Sequence, residues 1–299
     1  MRPSPLLPAL LLACLCCLPT PAQARCALAA EAAADLARWK ASGFVVADRA
    51  QRNQRALALA DCLGDADPQL RDGIAFEALS HWMRGKQLDG DGLRALQANL
   101  FRQLDGDDAD GYRKPFAALV LSEVARTDRV EAWMTAEERA RMAAAAADYL
   151  RSVRDHRGYV DGEGWRHGVA HGADWAMQLV LNRQLMPADG MSLLSAVATQ
   201  VAPIDGHAYA FGEPARLARP VAYAAARGDL DQAAVDAWLA GLVADLGPLP
   251  EGDRQAVWWT RRANLENFLH TLGHMAAGEQ SPTLAALAAG VRATLQKLP

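Results

Sequence analysis

The sequence predicts an all-α fold of about a dozen helices. Three observations predict it. Apolar residues recur at three- and four-residue spacing along most of the chain. Many of these runs open on helix-capping residues or close on glycine. No run alternates long enough to make a sheet, and Phe44-Val45-Val46 is too short to build one. Short turns join the runs, so neighbouring helices pack as hairpins, in an α-solenoid or a closed α/α globule. No fixed sequence period and no linker rich in Pro, Gly or Ser divides the chain. A single domain over residues 25–299 is expected.

Composition fits that fold. Of 299 residues, 51% are hydrophobic and 22% charged, as in a folded protein with a sizeable core. The net charge is −4 and no basic block occurs, which argues against a nucleic-acid partner. Residues 1–24 read as a signal peptide. Arg2 is the positive start, Leu6 to Leu18 the apolar core, and Ala22-Gln23-Ala24 the cleavage signal. The rival reading is a lipoprotein site at Leu12-Ala13-Cys14. The mature chain has no second long apolar run, so no transmembrane segment is expected. Export to the periplasm or beyond implies an oxidising compartment. Cleavage leaves two cysteines, Cys26 and Cys62.

The elements follow in order. Cys26 to Lys40 is alanine-rich and reads as helix. Asp48 caps a second helix that Gly64 stops. The link between them is short, so the pair is antiparallel. Cys26 at the start of one and Cys62 at the end of the other then lie side by side, where a disulfide can form. Asp67-Pro68 opens a helix to Arg84, and Asp89 opens one to Leu104. The acidic run at 105–111 suggests calcium, but Phe116 stands where the twelfth-position ligand belongs, so it reads as a solvated turn. Lys114 to Arg126 is an apolar helix. Thr135-Ala136-Glu137-Glu138 is a capping box opening a helix to Val153. Helices follow at 188–201, after Pro214, and at 231–246, 256–276 and 282–298. Pro220 is expected to kink or end its segment.

The most distinctive stretch runs from Asp155 to Asn182. It opens with Gly158, Gly162 and Gly164 and reads as a helix from Trp165 to Asn182. That helix is apolar nearly all round, as a buried helix is. One stripe is polar: His167, His171, Asp174 and Gln178. The spacing puts these four on one face.

The run Gly164, Trp165, His167, Ala170, His171 and Asp174, with Asp155-x-Arg157-Gly158-Tyr159 before it, resembles a bacterial family of all-helical proteins of unknown function. Leu70-Arg71-Asp72, Pro115 to Leu119, Glu213-x-x-Arg216-Leu217 and Asn264-Leu265-x-x-Phe268-Leu269 extend the resemblance over residues 65–275. Lys114 and Pro214-Ala215 depart from the pattern. The resemblance implies a helical fold and no activity.

Three readings of the stripe stand side by side. His167, His171 and Asp174 can form a buried structural network where helices cross. Gly168 and Gly172 favour this, because they let another helix approach. The same three residues can be a catalytic or binding site without metal. They can also hold zinc, with His207 or Glu213 completing the set. Asp155 and Arg157 read as a salt-bridged loop anchor, or Arg157 as an anion contact at the helix N-terminus. Glu213 and Arg216 read as an ion pair one turn apart, and either pair is expected opposite the stripe. Trp165 and Gln178 complete the candidate binding set. Trp258-Trp259 reads as core plus rim. No serine-hydrolase elbow or phosphate loop occurs. The expected function is a helical-repeat binding or scaffold module of the cell envelope, with a peptide, a protein or a small molecule as partner. The alternative is a periplasmic hydrolase or lyase using the stripe.

Overall fold

Helix-capping side chains set many of the element boundaries. A computed structural model describes residues 26–277 and 281–299. The expected signal segment, with Cys14, lies outside the described residues. Helix α1 spans Ala33–Ala41 and α2 Arg49–Asp61. Asp48 caps α2 by accepting from the Gln51 N–H. Helix α3, Pro68–Leu70, is capped by Asp67 and runs through a π-helical stretch, Arg71–Phe76, into α4, Glu77–Arg84. Asp89 caps α5, Gly90–Asp105. Helix α6 is Arg113–Val130, and α7, Ala136–Ser152, opens on the Thr135–Glu138 capping box. Helix α8 is Gly168–Val180, α9 Pro187–Val201 and α10 Glu213–Arg227. Asp231 caps α11, Gln232–Leu246, and the chain closes with α12, Gln255–Ala277, and α13, Pro282–Leu295.

The helices form two rows. In one, α4, α6, α8, α10 and α12 pack side by side in order. In the other, α7, α9, α11 and α13 do the same behind them. Helix α8 therefore has α6 and α10 at its flanks and α7 and α9 at its back. Its back carries Trp175, fully buried between Phe101 of α5 and Tyr149 of α7, at ring distances of 6.5 and 6.4 Å. Its front carries the half-buried Asp174 and Gln178.

The Cys26–Cys62 disulfide is formed, with Cα atoms 4.4 Å apart. The helix expected from Cys26 to Lys40 is broken, however. A 3-10 turn at Ala27–Ala30 gives way to extended residues Glu31 and Ala32 before α1. Alanine propensity yields here to tertiary contacts that bury Cys26 and Leu28.

Three other boundaries differ from expectation. A two-residue hairpin exists: β1, Tyr159–Val160, pairs antiparallel with β2, Gly164–Trp165. Strands this short leave no periodic signal. Helix α8 consequently starts at Gly168, three residues later than the pattern suggests. Pro220 does not end α10, because the face of Leu217, Ala218, Val221, Ala224 and Ala225 stays buried across it. That packing outweighs the lost backbone hydrogen bond.

Candidate functional site

The site is founded on two arginines behind the hairpin. Arg71 is fully buried in the π-helical stretch. Its guanidinium pairs with Asp72 (2.8 Å) and donates to the carbonyls of Asp65 (2.9 Å) and Glu163 (3.0 Å). It also sits 4.1 Å from the Tyr112 ring, and Arg166 sits 4.2 Å from the same ring. Arg166 pairs with Glu163 at 2.7 Å and donates to the Asp110 carbonyl at 3.0 Å. These cation–π and charge-assisted contacts clamp the hairpin to the start of α6. Gly164 is required in this clamp. It adopts φ +80°, and a Cβ there would lie 2.8 Å from an Arg71 nitrogen.

The clamp delivers the chain to His167 in a left-handed conformation, φ 53° and ψ 34°. Such a backbone is uncommon outside glycine and costs energy. His167 N–H donates to the Arg157 carbonyl, and His167 O accepts from the His171 N–H, which starts α8. His167 is thus the cap before the helix rather than part of it. Its ring stacks on Trp165, centroids 4.7 Å apart at 19°. Its Nε2 lies 3.3 Å from Glu213 Oε1, within ion-pair reach, but forms no well-directed hydrogen bond.

Glu213 is the first residue of α10 and is buried. Its Oε2 accepts from the Phe211 N–H at 2.9 Å. Burial raises its pKa, but His167 and the backbone N–H groups of Glu213 and Phe211 outweigh burial and hold the carboxyl below its ordinary value.

His171 faces α6. Its Nδ1 lies 3.1 Å from the Pro115 carbonyl, which can only accept, so the proton is on Nδ1. Burial, reinforced by His167, lowers its pKa to about 3. The ring is neutral at pH 7 and Nε2 keeps its lone pair.

Asp174 faces α10. It is ion-paired with Arg216 and lies 3.8 Å from Arg219. Burial nonetheless raises its pKa, because desolvation exceeds the pull of Arg216 and Arg219. Gln178 Oε1 accepts from Arg129 Nε of α6 at 2.9 Å.

The stripe residues therefore share a front but turn to different partners. Glu213 and Arg216 lie opposite that stripe. They do not pair with each other: Glu213 turns to His167 and Arg216 to Asp174. Asp155 and Arg157 bind one another, with Arg157 Nε 2.8 Å from Asp155 Oδ1, and anchor the loop beside Gly111. Burial opposes ionisation of Asp155, but Arg157 overcomes it and lowers the pKa. His207 stands apart. It neighbours His156, 5.5 Å ring to ring, and His156 Nδ1 meets Asp205 at 3.0 Å. Among the described residues, no three His, Cys, Asp or Glu groups are arranged to hold a metal ion. A cavity of about 270 Å³ lies behind the start of α8, walled by Lys114, Pro115, Tyr149, Asp155 and Gly168 but by none of the stripe side chains.

The glycines at 168 and 172 admit α7. A Cβ on Gly172 would lie 2.7 Å from Leu150 Cδ2 and 2.9 Å from Tyr149 Cε1, and one on Gly168 3.1 Å from the Tyr149 hydroxyl. Asp108 of the acidic run caps α6. It accepts from the N–H groups of Tyr112 (3.1 Å), Arg113 (3.0 Å) and Lys114 (2.9 Å). Trp258 is buried and donates to the Gly247 carbonyl, while Trp259 is exposed.

Sequence reasoning named Trp165 as a candidate binding residue but missed the aromatics around it. Tyr159, Trp165 and Phe211 are large aromatics left exposed, at 43%, 37% and 43%. Tyr159 and Phe211 meet Trp165 edge-on at 5.2 and 5.8 Å. Phe211 lies on Gly158, where a Cβ would be 2.2 Å from its ring. Glycine at 158 was the available signal, and it named no partner.

No curated protein and no solved structure matches this chain. The family model described as Protein of unknown function (DUF2785) matches residues 100–273. That match covers α6 to α10 and most of α12, the helices that carry the hairpin, the stripe and the partners of both. It spans more than half of the sequence, and the chain belongs to this family of unknown function.

Proposed function

We propose that this chain is an exported binding module whose ligand lies along the front of α8. One observation carries the reading. Trp165 has one face covered by the His167 ring and its edges held by Tyr159 and Phe211, yet 37% of the residue stays exposed. A rigid indole with a free face is a stacking platform, and it loses little entropy on binding. The strained His167 backbone and its buried, unbonded Nε2 add support, since strain and unsatisfied polar groups gather at ligand sites. The disulfide fits an oxidising compartment, and no described helix is long and apolar enough to cross a membrane.

Saturation-transfer NMR with a panel of oligosaccharides and peptides tests the proposal. At least one class is expected to bind to the wild-type chain and to lose its signal with Trp165→Ala. A panel that binds the variant equally well removes the platform from the reading.

A hydrolase or lyase is the second reading. The His167–Glu213 approach favours it, because a carboxylate beside an imidazole orients a general base. His171, with its pKa near 3, is too weak a base at neutral pH. Release of new reducing ends from the bound glycan, abolished by His167→Ala, is the expected sign of that activity.

A further inference from the structure

Two pairs of arginines stand on the helices that flank α8, and Arg129 of one pair and Arg216 and Arg219 of the other reach its front. Arg126 and Arg129 stand one turn apart on α6, and Arg129 reaches Gln178 of α8. Arg216 and Arg219 stand one turn apart on α10 and reach Asp174 of α8. Tyr223, one turn further along α10, is exposed and close enough to Arg129 for their charges to couple. Helices α6 and α10 therefore meet over the same strip of α8.

The strip is short of negative charge. Asp174 alone serves Arg216 and Arg219. Glu123, the nearest carboxylate on α6, is taken by Arg84 at 3.0 Å. Arg126 and Arg129 have no carboxylate partner among the described ion pairs. Burial, and then the charge of Arg126, lowers the pKa of Arg129, as crowded cations do. This excess of positive charge sits on a chain whose net charge is −4. The fold assembles it from two helices, α6 and α10, so no basic run appears in the sequence.

We infer that the front of α8 holds an acidic oligosaccharide, with its carboxylates on Arg126, Arg129, Arg216 and Arg219 and one sugar ring on the free face of Trp165. The inference rests on the binding reading above and names its ligand class. Guanidinium forks match carboxylates in geometry and charge. A pyranose presents an apolar face to an indole. The strip from His167 to Gln178 is roughly 16 Å long at the helical rise, room for several sugar units. Glu213 and Asp174 lie along it, and carboxylates accept hydrogen bonds from sugar hydroxyls. Single-stranded nucleic acid also uses successive stacking platforms. Here Trp165 offers one ring supported from behind, by His167, while Tyr159 and Phe211 are set edge-on to it.

Isothermal titration of the whole chain tests this with oligogalacturonate and alginate oligosaccharides, their methyl esters, and polyadenylate RNA. The acids are expected to bind, and the esters at least tenfold more weakly. Arg126→Gln with Arg129→Gln should weaken acid binding about tenfold, weaken ester binding by less, and reduce the salt dependence. Both side chains are partly exposed, and circular dichroism checks that the variant folds. Esters that bind as well as the acids, RNA that binds more tightly than either, or acids that do not bind overturn the inference. Ester binding that depends on Trp165 leaves the binding module standing while ending the acidic ligand. A chain that binds no member of either panel ends both.

Discussion

Two carboxylates, the buried Asp128 and the half-buried Asp174, each meet arginine in the α6–α8 region, and their environments push them in opposite directions. Asp128, near the end of α6, is saturated. Its oxygens accept from Trp133 N (2.9 Å), Met134 N (2.7 Å), Arg139 Nε (2.8 Å) and Asn182 Nδ2 (2.6 Å). Burial opposes its ionisation, yet Arg139 and the two backbone N–H groups prevail and its pKa falls. Asp174 has only Arg216 and the more distant Arg219, and burial prevails instead. The first is a network that closes a helix corner. The second is a carboxylate held at an energetic disadvantage beside an exposed aromatic rim. Burial beside an arginine is common to both, so it does not identify a site. The degree of satisfaction separates them.

The largest expected effect tests that contrast directly. Asp128→Ala leaves Arg139 buried without its partner and should cost about 3–5 kcal/mol. Asp174→Asn removes a charge that burial disfavours, and it should melt at or above the wild type. Urea titrations of the two variants measure both. Equal losses would place Asp174 in the structural class and break the comparison.

The disulfide sharpens the structural side. It joins residues 36 apart in sequence, and the chain-entropy model gives about 3–4 kcal/mol for a loop of that size. Replacing Cys26 and Cys62 by alanine should lower stability by that amount and leave binding at Trp165 intact. A loss of binding along with stability would tie the two ends of the molecule together, against this expectation.

His171, bonded to the Pro115 carbonyl and buried, is open to a test by pH. His171 is held neutral, its pKa lowered to about 3 from 6.5. Between those values the unfolded chain binds the proton and the folded chain does not. Stability therefore falls as pH drops through that window, by up to about 1.4 kcal/mol per pH unit from this one group. The lowered carboxylates, Asp128, Asp155, Asp205 and Glu213 among them, lose their contributions only as pH falls into and below the ordinary carboxylate range. Asp174 is raised and works in the other direction. His171→Gln keeps an N–H for the Pro115 carbonyl and should flatten the slope between pH 6.5 and 5. Parallel slopes in wild type and variant would show that His171 is already charged in the fold.

Much of the fold was legible in the sequence because capping is local. Asp48, Asp67, Asp89, Thr135 and Asp231 each bond a backbone N–H within three residues, so the residue type announces the helix start. The disulfide followed from one short turn between two helices. The π-helical stretch at Arg71 was not legible, and neither was the bond from Arg71 to the Glu163 carbonyl, 92 residues away. The hairpin was too short to repeat a pattern. The stripe was legible as a face of α8, but its partners were not all so. Arg126, Arg129 and Arg219 approach from helices whose register against α8 is set by packing alone. Nothing in the sequence placed Phe211 and Tyr159, which the fold leaves exposed beside Trp165.

The smallest expected effect isolates the strain at His167. Its left-handed backbone is costly for any residue with a Cβ and nearly free for glycine. His167→Ala and His167→Gly both remove the ring, its stacking on Trp165 and its approach to Glu213. They differ only in that the alanine keeps the Cβ. Glycine gains about 1–2 kcal/mol from relief of the left-handed penalty and loses about 0.5–1 kcal/mol to its freer unfolded chain. His167→Gly should thus be the more stable of the two by about 1 kcal/mol. The usual order is the reverse, because alanine is the better residue in ordinary helical backbone. An inverted order, read from paired urea titrations, means that the hairpin and its arginine clamp impose the left-handed turn on His167. Alanine more stable than glycine would mean that the turn relaxes once the ring is gone. The imidazole itself would then hold the turn, through Trp165 and Glu213, and the clamp behind the hairpin would not set the position of the site.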